Sequence, residues 1–133
     1  MDLTELSATL NGPNYRVLLD DGHHTWFGDE PAAIGGGDRG PTPFALLLSS
    51  LGACTAITVK MYAERKGWPL DHIDVKLSLS TQTDRSAIER EVVLYGALDD
   101  AQRERLLQIA NACPVHKILS KPIDIRTDLA AIA

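Results

Sequence analysis

The chain has 133 residues, a length that suits a single domain over residues 1–133. Its hydrophobic fraction of 44% is ordinary for a globular protein, and its charged fraction of 23% argues against disorder. The formal net charge of −5 argues against the basic surface that nucleic acid or an anionic membrane would need, so we expect no nucleic-acid and no membrane partner.

The N-terminal residues do not resemble an export signal. Residues 1–5 include Asp2 and Glu5, where an export signal carries basic charge followed by an apolar run. We therefore expect a cytoplasmic protein. In that compartment two cysteines are more often free or catalytic than joined in a structural disulfide.

The N-terminal third is predicted to form three strands, over residues 5–10, 14–20 and 25–27. Asp21 and Gly22 indicate a two-residue hairpin turn, because such a turn needs positive φ at both positions. The glycine-rich stretch 28–41 is predicted to be a loop that serves as a lid or wraps around a partner.

A long helix is predicted from Thr42 or Pro43 to Lys66. Thr42 can cap its first turn, Pro43 suits the first helical position, and Gly67 is a typical terminator. The segment 40–59 carries no charged residue and approaches the length of a membrane span. Prolines at its start, interspersed polar residues and its charged continuation favour instead the buried central helix of a soluble protein.

The C-terminal half is predicted to contain two paired strands, a helix, a short helix and a last strand. These elements cover residues 72–83, 87–97, 99 or 100 to 112, 115–119 and 122–129. Together with the N-terminal strands and the long helix they make the fold class α+β, with antiparallel strands and a long central helix.

The two cysteines are the main candidates for chemistry. Cys54 shares a predicted helix face with apolar residues, so it is either a small buried hydrophobe or a reactive thiol. Cys113 lies where one helix ends and Pro114 opens another, so its thiol would face unpaired N–H groups that lower a thiol pKa. His116 and Lys117 could add positive charge there; the alternative is simple packing at a helix end.

Other polar residues give weaker signals. His23 and His24, beside the hairpin turn, suit a solvent-exposed position better than a metal site. Residues 89–91, Glu-Arg-Glu, alternate along a strand and indicate a solvated face with one inward exception.

Three sequence stretches resemble the OsmC/Ohr family of osmotically induced and organic-hydroperoxide-resistance proteins. They are residues 40–56, with Gly-Pro-Thr-Pro and Cys54, residues 61–70, and the Ala-Cys-Pro-Val-His run at 112–116. The similarity extends from about residue 22 to residue 129 and is closest to the broad OsmC-like branch.

This resemblance implies an OsmC-like fold in which two chains form an interwoven homodimer around the long helices. It also implies a thiol-dependent reduction of organic hydroperoxides, with Cys54 as the peroxidatic and Cys113 as the resolving cysteine. A dithiol would be the reductant, and no metal or organic cofactor is implied.

One departure from the family pattern leaves the activity open. Peroxidase members carry a glutamate just inside this helix that holds an activating arginine, whereas this chain has Phe44 and Ala45 there. Arg39 and Arg16 are the candidates for that arginine, and Arg39 is preferred because it lies close before the helix. The alternative is a non-catalytic dimeric protein of the same fold that binds a small lipophilic ligand in an apolar pocket beside Cys54.

Overall fold

The computed structural model describes residues 3–131. Its strands are β1 (Ser7–Thr9), β2 (Val17–Asp20), β3 (Thr25–Gly28), β4 (His72–Thr81) and β5 (Ser86–Tyr95). Its α-helices are α1 (Pro43–Lys66), α2 (Asp100–Ala110) and α3 (Pro114–Leu119). This order of helices and strands confirms the α+β class.

The chain divides into two compact units. The first comprises the residues up to Ser49 together with Thr81–Ser86, and the second comprises Ser50–Ser80 and the chain from Ala87 onward. The prediction of one domain over residues 1–133 stays a prediction.

The first unit contains an antiparallel sheet with the order β1-β2-β3. Leu18 pairs with Phe27 and Leu19 with Trp26 across β2 and β3. The hairpin turn lies where Asp21 and Gly22 predicted it, but four residues, 21–24, separate the strands instead of two. The loop is longer because the Asp21 carboxylate accepts the backbone N–H groups of residues 23 and 24, at 2.8 and 2.6 Å.

A buried carboxylate organises the loop that follows β3. Asp29 accepts backbone N–H groups from Tyr15, Glu30, Gly37 and Arg39, at 3.0, 2.7, 3.3 and 3.0 Å. Burial raises the pKa of Asp29, but these four donors outweigh it and leave the pKa below its ordinary value. The glycine-rich loop, which contains a short 3-10 turn at Ala32–Ile34, is therefore fastened to one anion.

The long helix α1 begins and ends where the sequence predicted. Thr42 Oγ1 accepts the backbone N–H of Ala45 at 3.2 Å, which caps the first turn. Gly67, with φ of +70°, turns the chain, and the N–H of Trp68 bonds back to the carbonyl of Ala63.

The chain alone does not bury α1, which corrects the expectation of a buried central helix. One stripe of residues four apart is buried: Leu51, Thr55, Val59 and Ala63. Other apolar side chains on the helix remain exposed, among them Phe44 at 61%. By length and composition alone, α1 could also cross a membrane, a test that core helices of soluble proteins pass as well.

The second unit has its own apolar core. Val59 and Ala63 of α1, Leu70, and Leu106 and Ala110 of α2 form a buried cluster. The strands β4 and β5 pair as a two-stranded sheet and supply side chains that pack against this cluster.

Helix α2 begins at the cap that the sequence indicated. The Asp99 carboxylate accepts the Gln102 N–H, and the Gln102 side chain accepts the Asp99 N–H in return. The helix ends at Ala110, two residues before the predicted end, and α3 follows.

The predicted last strand at residues 122–129 is wrong. Those residues belong to no strand, and no other described segment pairs with them. Ile125 and Leu129 in this segment are 84% and 97% exposed. The alternating apolar pattern is present, but a strand needs a hydrogen-bonding neighbour and the described part of this chain supplies none.

Candidate functional site

The first cysteine lies beside the buried stripe of α1. Cys54 directly precedes Thr55, which is fully buried, and is itself only partly buried. Since neighbouring residues on a helix point about 100° apart, the thiol lies at the edge of the buried stripe rather than within it. Cys54 is therefore accessible to a small reactant.

The second cysteine caps the last helix. Cys113 is the N-cap of α3, with φ of −67° and ψ of 149°, and Pro114 occupies the first helical position. The predicted position of Cys113 at this helix start is thus confirmed. Its side chain is 0% exposed, so an external reactant cannot approach it as it can Cys54.

The two thiols lie in one neighbourhood at the start of α3, within the second unit. Both cysteines are free. The Cys54 sulfur accepts the N–H of Val115 at 3.4 Å and lies 3.9 Å from the hydroxyl of Thr58. The Cys113 sulfur lies 3.7 Å from the Thr55 hydroxyl. Each sulfur thus lies within 4 Å of a group on a residue close in sequence to the other cysteine.

The surroundings of Cys113 favour its thiolate. Burial raises the pKa of the Cys113 thiol, because a thiolate loses hydration there. The backbone N–H of His116, the Thr55 hydroxyl, the Cys54 thiol and the positive charge of Arg90 oppose this effect, and the net pKa is lowered. The Cys113 side chain does not cap α3 by a hydrogen bond, so the His116 N–H lowers the pKa of Cys113 through its positive partial charge.

The guanidinium next to this pair belongs to Arg90 on β5. It donates to Thr55 Oγ1 at 3.0 Å, to Asn111 Oδ1 at 3.0 Å and to His116 Nδ1 at 2.9 Å. Sequence reasoning did not name Arg90 as a site residue. Its one signal was its place between Glu89 and Glu91, which made it the inward residue of an otherwise solvated strand face.

His116 does not supply the positive charge that was expected of it. Burial and the neighbouring Arg90 charge both lower the pKa of His116, so the ring is neutral at neutral pH. Because Arg90 can only donate, Nδ1 of His116 is the acceptor and the ring proton resides on Nε2. Arg90, rather than His116, is thus the positively charged group that acts on Cys113.

The two arginines predicted from the sequence have their described contacts in the first unit. The guanidinium of Arg16 lies 5.3 Å from the centre of the Phe27 ring. The backbone N–H of Arg39 binds Asp29. Their service to the cysteines stays a prediction, and Phe44, on the first turn of α1 where the family glutamate was sought, is exposed.

The first unit also contains an apolar cavity of about 370 Å³. It is lined by Leu10, Tyr15, Val17, Leu19, Gly28, Asp29, Glu30, Pro43 and Leu46. Among residues 3–131, no three His, Cys, Asp or Glu side chains converge as metal ligands.

Comparison with known proteins identifies the family. Residues 35–128 match the family model described as OsmC-like protein. No protein of curated function matches the chain.

Solved structures share the fold. An OsmC-like protein from Mycoplasma pneumoniae superimposes with a TM-score of 0.77 at 19% identity, covering 90% of this chain and 88% of that one. An organic hydroperoxide resistance protein from Bacillus subtilis gives 0.61 at 22% identity, covering 88% and 90%. One from Legionella pneumophila gives 0.59 at 21% identity, covering 90% of each chain.

Proposed function

The chain belongs to the OsmC-like family, and from that premise we propose that it is a thiol-dependent peroxidase that reduces organic hydroperoxides. The observation that carries the proposal is the convergence of two free thiols, one partly exposed and one buried, at the start of α3. The Cys54 sulfur accepts the N–H of Val115 at 3.4 Å, and the Cys113 sulfur lies 3.7 Å from the Thr55 hydroxyl. The organic hydroperoxide resistance proteins among the structural neighbours support this substrate class.

Accessibility assigns the two roles. Cys54 is the peroxidatic residue because it is partly exposed, and its sulfur is positioned by the N–H of Val115. Its thiolate attacks the outer oxygen of the hydroperoxide, the O–O bond breaks, and the alkoxide leaves as the alcohol after taking a proton. Cys54 is then a sulfenic acid.

Cys113 is the resolving residue. Its sulfur attacks the sulfur of the sulfenic acid, the S–O bond breaks, and hydroxide leaves as water after protonation. The product is a Cys54–Cys113 disulfide. An external dithiol then restores both thiols by two exchange steps and is itself oxidised to a disulfide.

The functional form is proposed to be a cytoplasmic homodimer. Many apolar side chains are exposed on α1, including Phe44, and in the C-terminal segment, including Leu129. They are too numerous for a solvated surface and support association of two chains. Sedimentation at micromolar concentration should give twice the chain mass of 14.5 kDa, and a monomer would refute the dimer.

A binding protein for a small lipophilic ligand is the second candidate function. The apolar cavity of the first unit favours it, since 370 Å³ falls within the range of small-molecule sites. Cys54 is not among the residues that line this cavity, so the cavity is not the pocket beside Cys54 that was expected. In this alternative the cysteines would take no part in turnover.

A peroxidase assay separates the two candidates. Wild type is supplied with cumene hydroperoxide and dihydrolipoamide, and turnover is compared with that of Cys54→Ser and Cys113→Ser. We expect sustained turnover by wild type, none by Cys54→Ser, and in Cys113→Ser a sulfenic acid that dimedone traps. No turnover by wild type, together with saturable binding of a fluorescent fatty acid that is unchanged in Cys54→Ser, would favour the binding protein.

A further inference from the structure

Within the described residues, the hydrogen-bond acceptors of Arg90 are all neutral groups. Its three hydrogen-bond acceptors are a hydroxyl, an amide oxygen and a neutral imidazole nitrogen, on Thr55, Asn111 and His116. Three acceptors from two helices and a loop fix the guanidinium plane in one orientation, because its donors form a rigid fork.

No described carboxylate neutralises this charge. None of the ion pairs within residues 3–131 includes Arg90. The adjacent Glu89 and Glu91 are exposed, and alternation along β5 directs them to the opposite face. A partly buried cation without a counter-ion favours any nearby group that can become an anion.

We propose that Arg90 is the positioning residue of the resolving step: through Thr55 it holds Cys113 in place near Cys54 and favours its thiolate form. The contacts form a continuous chain from the guanidinium to the Thr55 hydroxyl at 3.0 Å and from that hydroxyl to the Cys113 sulfur at 3.7 Å. The hydroxyl proton points to the Leu51 carbonyl at 2.7 Å while Cys113 is a thiol, and it turns to the sulfur when Cys113 ionises. Asn111 and His116, on either side of Cys113 in sequence, attach the same guanidinium to the backbone that carries the thiol.

The titratable groups around Cys113 agree with this role. From α1 it faces the Cys54 thiol, from β5 the Arg90 charge and from α3 the neutral His116. Of these only Arg90 is charged at neutral pH. Burial raises the pKa of Cys113, and the His116 N–H, the Thr55 hydroxyl and the Cys54 thiol lower it; the Arg90 charge adds a smaller lowering in the same direction.

The consequence concerns the fate of the sulfenic acid, and it rests on the proposed function. A thiolate, not a thiol, attacks the sulfur of the Cys54 sulfenic acid. If Cys113 is protonated more of the time, the sulfenic acid survives longer and can meet a second hydroperoxide. That encounter transfers another oxygen, releases a second alcohol and leaves a sulfinic acid that dithiols do not reduce. Arg90 thereby protects Cys54 from irreversible oxidation.

The test compares Arg90→Met, Arg90→Gln and Arg90→Lys with wild type, and Arg85→Met serves as the matched control in an exposed turn. Reduced protein is mixed with one equivalent of cumene hydroperoxide, and mass spectrometry follows sulfenic acid, disulfide and sulfinic acid. The neutral variants should form the disulfide about three-fold more slowly for each unit by which the Cys113 pKa rises above the assay pH, because the thiolate fraction falls while each thiolate becomes more nucleophilic. Their sulfinic acid should increase, and Arg90→Lys should recover part of the wild-type rate.

A second measurement does not depend on peroxidase activity. In Cys54→Ser, thiolate absorbance at 240 nm is followed against pH, with Cys54→Ser/Cys113→Ser subtracted. The midpoint for Cys113 should rise when Arg90→Met or Arg90→Gln is added and stay unchanged with Arg85→Met.

The outcomes are distinguishable. An unchanged midpoint in a neutral variant whose circular dichroism shows a folded chain would overturn the role of Arg90, as would unchanged disulfide formation. If Arg90→Met does not fold, Arg90→Gln, which keeps an amide donor, decides. A raised midpoint without any oxidation of Cys54 by hydroperoxide would refute the proposed function and leave the coupling of Arg90 to Cys113 intact.

Discussion

Replacing Thr55 by valine tests the link between the arginine and the cysteine pair. The change keeps the shape of a fully buried side chain and removes one oxygen, which accepts from Arg90 at 3.0 Å and donates to the Leu51 carbonyl at 2.7 Å. A hydrogen bond from a charged donor contributes about 1.5–3 kcal/mol, and the added methyl returns about 0.8 kcal/mol. We therefore expect Thr55→Val to lower the free energy of unfolding by about 1–2 kcal/mol.

The matched control is Thr58→Val on the same helix. The Thr58 hydroxyl is partly buried and its described polar contact is the Cys54 sulfur at 3.9 Å, so its loss should cost less than about 0.5 kcal/mol. Both variants are unfolded in urea at one fixed protein concentration, followed by tryptophan fluorescence, and compared at equal m values. Equal stabilities for the two variants would show that the hydrogen bond between Arg90 and Thr55 does not stabilise the fold, and the reasoning would fail.

Three further predictions concern pH, packing and backbone conformation. The pKa of His116 is lowered from 6.5 in the folded chain, so on acidification the unfolded chain takes up a proton that the folded chain does not. Stability is therefore full above about pH 6.5 and falls as pH falls toward the folded pKa. In urea titrations between about pH 7 and 5, His116→Asn should lose less free energy of unfolding than wild type. Leu106→Ala should lower the unfolding free energy by about 2–5 kcal/mol, because Leu106 is fully buried. Leu107→Ala, at the half-exposed neighbour, should lower it by under about 1 kcal/mol, and equal losses would contradict the assignment of Leu106 to the core. A Cβ at Gly96, with φ of +147°, would lie 2.0 Å from the Pro69 carbonyl oxygen, so Gly96→Ala should lower the melting temperature more than Gly67→Ala, whose Cβ meets open space.

The helix limits could be predicted because short-range chemistry sets them. Thr42 before Pro43 and Gly67 after Lys66 are local signals: in the structure Thr42 caps the first turn of α1 and Gly67 ends the helix. Cys113 before Pro114 was similarly readable, since a proline that ends one helix commonly opens the next.

Arg90 was not identified because its importance depends on long-range contacts. Alternation along β5 showed that it points away from its glutamate neighbours, but its acceptors come from Thr55 and His116, 35 and 26 positions away. The predicted last strand was wrong for a related reason. Alternation at residues 122–129 indicates a strand-like face, but pairing requires a neighbour that no local pattern reveals.

The carboxylate of Asp29 gives the loop after β3 an unusual exchange behaviour. Four amides widely separated in sequence, those of Tyr15, Glu30, Gly37 and Arg39, depend on the same acceptor residue. Their hydrogen–deuterium exchange should therefore be correlated, since an opening that displaces this one side chain exposes all four together. Because the Asp29 pKa is lowered, that protection persists into mild acid and disappears as pH falls through the folded pKa. We therefore expect one side chain to set the exchange of these four amides together, alongside the backbone hydrogen bonds that also hold the loop.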